Sequence, residues 1–245
     1  MVAMQLLRPH DYARTRWKND GGWTTEIASM PSAQSECGFR WRVSIAEIES
    51  DGPFSLFPGV DRDLLLLSGS GMELDINDAP AIRMERRFQH IHFAGEDRVM
   101  CRLLAGPTRD FNVMCDRSST HAEVPARPLI GTMLVFAEPG ASWLVHVLGG
   151  SCVFRGNEQS IAAESGDTTL IESTAHQRIV TADPRLALRA VQHERVCTEV
   201  ACRGQLGRGR EAGAAESGDS RVAQSPDEFF RTERGGILDG PCAVI

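Results

Sequence analysis

The stretch Phe39-Arg-Trp-Arg-Val-Ser-Ile-Ala46 decides how this chain is read. Phe39, Trp41, Val43 and Ile45 alternate with Arg40, Arg42, Ser44 and Ala46, the period of two that marks a half-buried strand. Arg42 and Ser44 therefore share one face, opposite Trp41 and Val43. One of these faces lines the inside of whatever the strand builds. If it is the Arg42 face, the interior is polar and cationic; if not, Trp41 fills it.

Working outward, the same kind of segment recurs. Leu64 to Leu67 is a short apolar run between Arg62-Asp63 and the turn Ser68-Gly-Ser-Gly71. Met72 to Ile76, Phe88 to Phe93, Val99 to Leu104 and Asp110 to Cys115 continue the series, with Gly95, Gly106 and Pro107 as punctuation. After a polar stretch it resumes in Met133 to Ala137, Trp143 to Leu148, Cys152 to Phe154, Thr168 to Ile171 and Leu186 to Val191. Short strands about ten residues apart, with turn residues between them, predict an all-β sandwich or barrel. Two such series predict two barrels, joined between Cys115 and Arg127, although no exact repeat is present. The expected division is a first barrel over 1–118 that carries the ligand pocket, a second over 119–197, and a flexible tail over 198–245. The tail is expected because Arg203 to Ser220 is rich in Gly, Ala and charge and offers little apolar surface against its ordering entropy. Phe229-Phe230 and Pro241 to Ile245 are the tail's only candidates for docking onto the body.

Composition narrows the function. In 245 residues, 42% are hydrophobic, enough for a sizeable core, and the formal net charge is −7. Lys18 is the sole lysine and the arginines are scattered, so a nucleic-acid partner is not expected. No apolar run is long enough to cross a bilayer and the first residues lack a leader pattern, so no membrane partner and a cytoplasmic location are expected. The seven cysteines form no CxxC, which reads as reduced thiols and not as a disulfide framework or a zinc knuckle.

Metal chemistry has one candidate. His90 and His92 share a strand face, and with Glu96 could ligate an ion. This supports the alternative reading, a metal-dependent dioxygenase or isomerase. Against it, Met84 stands where the corresponding barrel motif has glycine, and neither His121 nor His146 falls in frame. The opposing expectation puts His90 and His92 on a wetted outer face, with Phe88 and Phe93 in the core; no metal and no cofactor are then expected. Nothing marks a nucleophile either: GxSxG and GxxxxGK[ST] are absent.

Two blocks carry more. Trp17-Lys-Asn-Asp-Gly-Gly-Trp-Thr-Thr-Glu-Ile27 gathers a cation, an amide, hydroxyls and a carboxylate around two glycines. Asp51-Gly-Pro-Phe-Ser-Leu-Phe-Pro-Gly-Val-Asp-Arg62 is a compact Pro/Gly loop that delivers Arg62 to the mouth of a strand. A guanidinium there can fork onto a ligand carboxylate, or pair structurally with Asp61 or Glu26. The expected ligand is a small carboxylate bound without a catalytic step. Arg62 would pair with it, Asn19, Thr24, Ser44 and Asn112 would add neutral hydrogen bonds, and Trp17, Phe54 and Met114 would form apolar walls, with Lys18, Glu26 and Arg42 as the other charged members.

These blocks, with Phe39 to Ala46 and Asp110-Phe-Asn-Val-Met114, resemble the HutD/Ves family in order and spacing. The resemblance is strong over residues 1 to 115 and general over 120 to 195. It implies a bicupin, two jelly-roll barrels packed side by side. It also implies a link to bacterial histidine utilisation, in which the protein tunes the pathway by sensing an intermediate such as urocanate or formylglutamate. Ves-like members are instead associated with stress responses. Asp20 stands where the family usually has a third glycine, which would put a negative charge beside the pocket. Homodimers are a plausible partner state, and a protein-interaction module with a vestigial pocket is a third reading.

Overall fold

The computed structural model describes residues 2–156, 158–174, 178–184, 196–204 and 242–244. In chain order the strands are β1 (Val2–Leu7), β2 (Ala13–Arg16), β3 (Gly22–Pro31), β4 (Phe39–Ile48), β5 (Gly52–Pro53), β6 (Val60–Ser68), β7 (Met72–Ile76), β8 (Ile82–Met84), β9 (His90–Ala94), β10 (Val99–Leu103) and β11 (Thr108–Asp116). They continue as β12 (Thr120–Glu123), β13 (Ala126–Leu129), β14 (Met133–Ala137), β15 (Ala141–Val147), β16 (Ser151–Arg155), β17 (Ser160–Glu164), β18 (Thr168–Ser173), β19 (Arg178–Pro184), β20 (Val196–Gly204) and β21 (Cys242–Val244). Among the described residues the helical content is one 3-10 turn, Pro9–Asp11. The expected all-β chain with two barrel-like units is what the structure shows.

Four sheets stack. The first barrel is a six-stranded sheet, β2-β3-β4-β11-β6-β9, facing a four-stranded one, β5-β10-β7-β8. Ile48, Leu64, Leu66 and Phe93 of the former meet Met72, Leu74, Met84, Val99 and Cys101 of the latter. The second barrel pairs a seven-stranded sheet containing β1, β18, β15 and β20 with the four-stranded β14-β19-β16-β17. Met4, Val145, Val147 and Ile171 there pack on Val135, Phe154, Val180 and Ala182. A third apolar layer joins the barrels, where Trp41, Val43, Ile45, Phe111 and Val113 cover Leu144 and the half-buried Leu170. Each fully buried residue of this kind contributes about 1.5–3 kcal/mol.

The central strand β4 is therefore buried on both faces. Its alternation does not separate core from solvent. Trp41 and Val43 face the other barrel, and Arg42 and Ser44 face the inside of their own.

Strand β1, which a division at residue 118 groups with the first barrel, pairs along its length with β18 of the second. Tyr12 secures this crossing. Its hydroxyl donates to Gly166 O at 2.8 Å, lies 2.9 Å from Thr168 Oγ1 and 3.2 Å from Leu7 O, and the half-buried ring packs in the layer between the barrels. Tyr12→Phe strands these partners and is expected to lower the unfolding free energy by about 1–3 kcal/mol, read as a drop in the denaturant midpoint; an unchanged midpoint would show that the crossing is secured elsewhere.

The first residues of the expected tail are in a strand. Residues 198–204 belong to β20, which pairs with β15, β12 and β13 in the seven-stranded sheet. Its alternating Val196, Thr198 and Val200 fit a strand once a neighbour on each side accepts its hydrogen bonds. The backbone of 242–244 adds to β13 as β21. The remainder of the expected tail, including Phe229-Phe230, lies outside the described residues, as does the expected strand Leu186 to Val191.

Candidate functional site

Antiparallel partners share a face, so the registers of the six-stranded sheet fix what lines the first barrel. Arg42, Met114, Arg62 and Phe93 form one row across β4, β11, β6 and β9. The next row is Ser44, Asn112, Leu64 and Ile91, and the one after it Ala46, Asp110 and Leu66. Glu26 and Thr24 on β3 extend the second and third rows. Two guanidiniums thus flank Met114, about 10 Å apart at their backbones from the usual strand spacing.

Arg62 is the deepest cation, 6% exposed. Three aromatic rings enclose it, with Cζ 4.9 Å from the Phe93 centroid, 5.3 Å from Phe54 and 5.8 Å from Phe57. Nη1 donates a long bond of 3.5 Å to Ser55 O. Burial pulls its pKa down to about 10, opposed by the Asp110 charge and assisted by Arg42. It remains a cation at neutral pH. Neither structural partner expected for it takes it: Asp61 accepts from Arg117 at 2.6 Å, and Glu26 pairs with Arg42.

Asp110 is 1% exposed, and burial raises its pKa to about 7 against the lowering pull of Arg62. Four polar atoms of this interior are buried without a hydrogen-bond partner among the described residues: Arg42 Nε, Arg62 Nε, Asp110 Oδ1 and Asn112 Oδ1. The Arg42 Nε lies 2.7 Å from Glu26 Oε2, but that contact is an ion pair and not a directed hydrogen bond. Buried polar groups are nearly always satisfied, since each orphan costs about 1–3 kcal/mol. With Arg42 Nε held by its ion pair, one donor (Arg62 Nε) and two acceptors (Asp110 Oδ1 and Asn112 Oδ1) are left open in this interior chamber and call for a polar occupant. Exposure falls from Glu26 (34%) and Arg42 (26%) at the rim to Asp110 (1%) at the floor.

The other nominated residues divide. Ser44 and Met114 are buried in the chamber's wall. Trp17 packs on the barrel core and its indole N–H donates to Thr24 Oγ1 at 2.8 Å. Lys18 and Asn19 are exposed in the turn that follows, where Asn19 Oδ1 accepts from the Gly21 N–H at 3.1 Å. That amide is spent on the turn and does not face the chamber. Gly22 is required there, because a Cβ would fall 2.2 Å from Glu47 O. Asp20 has a φ of 56°, the left-handed region that favours glycine. Its carboxylate is 85% exposed beside Arg16, so the expected negative charge at the pocket is not there.

Asp110, Phe57 and Phe93 were not nominated from sequence. Asp110 was within reach, since it lies two residues from Asn112 on the same strand face. Phe93 needed the register, and Phe57 the path of the loop before β6.

His90 and His92 lie on the outer face of β9, where His90 Nε2 and His92 Nδ1 both contact Asp63 Oδ1, at 2.8 and 3.2 Å. Glu96 is held by Arg117 instead, at 2.8 and 3.1 Å. The three proposed donors do not converge, and no other His, Cys, Asp or Glu among the described residues completes a metal set with them. Phe93 serves the barrel core as expected, whereas Phe88 packs on the layer between the barrels. A separate cleft of about 340 Å³ lies beside Trp41, Arg40 and Glu172. Its polar groups have partners: Glu172 accepts from Ser142 at 2.7 Å and Arg40 donates to Ser119 O at 3.4 Å. Among the described residues one buried polar atom without a hydrogen-bond partner, Thr169 Oγ1, lies on β18 of the second barrel; the others gather in the chamber, and that gathering makes the chamber the candidate site.

Comparison with known proteins bears on the family and the fold. The family model described as HutD matches residues 9–188. An uncharacterised 21.2 kDa protein from the hutC 3' region of Pseudomonas putida is 46% identical over 114 residues, which is 46% of this chain and 59% of that protein. Protein Ves of Citrobacter koseri is 37% identical over 136 residues, 55% of this chain and 68% of its own. The chain thus covers less than two thirds of the first of these relatives. Among solved structures, HutD from Pseudomonas fluorescens SBW25, determined in a formate condition, is 27% identical with a TM-score of 0.67, covering 83% of this chain and 100% of that one. A conserved protein of unknown function from Pseudomonas aeruginosa PAO1 is 26% identical with a TM-score of 0.70 over the same shares. E. coli Ylba, 8% identical with a TM-score of 0.59, shares the fold alone.

Proposed function

The chain belongs to the HutD family, and from that premise we propose that its first barrel is a receptor for a small carboxylate, sensed as part of the control of histidine utilisation. The observation that carries the reading is the set of unmatched polar atoms Arg62 Nε, Asp110 Oδ1 and Asn112 Oδ1 in one barrel interior. Arg62 and Arg42 offer N–H donors to a carboxylate. Asp110 and Asn112 offer acceptors to a donor group elsewhere on the ligand. Phe54, Phe57 and Phe93 keep water from Arg62, so an ionic contact there is stronger than at the surface. A formylated glutamate or urocanate, intermediates of the family's pathway, has both an ionised carboxylate and an N–H.

The chamber holds no nucleophile with an adjacent base and no converging metal donors among the described residues, so binding is favoured over turnover. Calorimetric titration of the purified protein with urocanate, formylglutamate and simple dicarboxylates tests this. Saturable heat with at least one of them is expected; no heat with any contradicts the reading.

A further inference from the structure

We propose that Asp110 makes ligand binding proton-coupled: when a carboxylate settles on Arg62, Asp110 takes a proton from solvent and faces the ligand as a neutral acid. This rests on the reading of the chamber as a carboxylate site.

The geometry is the argument. Asp110 sits on the chamber floor between Ala46 and Leu66, with no hydrogen bond to Oδ1. In the free protein its negative charge is set against that of Arg62. A bound carboxylate brings a second negative charge to the same buried guanidinium. Two carboxylates sharing one dry site do not both stay ionised, and one gains a proton. The ligand enters past Arg42, which adds a second cation to its side. Asp110 is further from solvent and its flanking neighbours are apolar, so the proton goes to Asp110. The other charged or titratable groups around it do not compete. Glu26 is paired with Arg42 at the rim. Cys101, from the facing sheet, is buried with its pKa pushed up to about 12, first by burial and then by the charges of Asp110 and Asp51, so its thiol keeps its proton. Asp51 Oδ1 accepts the Leu103 N–H at 2.8 Å. Burial has already brought Asp110 to about 7, close enough to neutrality for a ligand to complete the protonation.

The sign follows. Above about pH 7 free Asp110 is ionised and must be reprotonated before the ligand binds, so affinity falls by about tenfold per pH unit. Below that pH it is already neutral and affinity levels off. The test is calorimetry of the full chain with succinate and formylglutamate, whose carboxyls are fully ionised at pH 8, in buffers of different ionisation enthalpy. Uptake approaching one proton per ligand is expected at pH 8, falling towards zero at pH 6. Asp110→Asn is expected to bind without proton uptake and with an affinity flat from pH 6 to 9, and Cys101→Ala to leave the uptake unchanged. Binding without uptake in the unaltered protein, or uptake that persists in Asp110→Asn, overturns the inference alone. Absence of binding by both ligands overturns the carboxylate reading itself, and this inference with it. The wild-type uptake decides the matter even where Asp110→Asn fails to fold.

Discussion

Arg62→Ala is expected to lower carboxylate affinity by a factor of about 100 or more. Truncating one partner of a desolvated, hydrogen-bonded charge pair typically costs about 2–5 kcal/mol, and 1.4 kcal/mol is a factor of ten. Arg62 qualifies because it is 6% exposed and enclosed by Phe54, Phe57 and Phe93. Arg62→Lys keeps the charge but loses the planar fork and the stacking on those rings, so an intermediate loss of about tenfold is expected. Titration calorimetry on both variants checks the order. Equal affinity in the wild type and Arg62→Ala would remove Arg62 from the site.

Trp41→Ala gives the opposite pattern from a residue next in sequence to Arg42. Trp41 is 3% exposed and faces the second barrel together with Phe111 and Val113. Losing a buried Trp typically costs about 3–5 kcal/mol, so a large fall in the denaturant midpoint is expected. The chamber lies on the other side of the sheet, so the folded fraction should bind carboxylate within about twofold of wild type. Arg42→Ala should do the reverse: weaker binding at nearly unchanged stability, because Arg42 is partly exposed and its pairing with Glu26 is at the rim. If Trp41→Ala weakened binding while leaving stability intact, the assignment of the two faces of β4 would be reversed.

These contrasts show what the sequence made legible. The period of two in Phe39 to Ala46 was enough to separate Arg42 and Ser44 from Trp41 and Val43. It was not enough to say which face looked inward. That depended on a second sheet packing behind the first, so that both faces are covered, and alternation of polarity is silent about a neighbour contributed from 100 residues away. The recurrence of short strands gave two barrels. The exchange of β1 into the second barrel left no local trace, because an edge position is set by hydrogen-bonding partners and not by composition. Residues 198–204 differ from expectation for the same reason: a strand is held by its neighbours, and the Gly- and charge-rich composition that follows from Arg203 says nothing of them.

Of the site, Arg62, Arg42, Ser44 and Phe54 follow from residue type and spacing, Asn112 and Met114 from a block that carries the family resemblance, and all come together around one chamber. Lys18 and Asn19 were drawn in by the chemistry of their block, but they stand on an exposed turn. Asp110 is not among the residues expected from the sequence, because residue type and spacing do not show its burial. A carboxylate beside a carboxylate ligand is unfavourable unless one of them is protonated, and burial brings Asp110 close to that state.

The most direct test of the central claim is a crystal structure of the protein grown with formylglutamate. The expected result is ligand density inside the first barrel, with a carboxylate against Arg62 and within hydrogen-bond reach of Asn112 and Asp110. Density confined to the cleft beside Trp41 and Glu172, or a metal bound between His90 and His92 with the chamber closed by side chains, would contradict it.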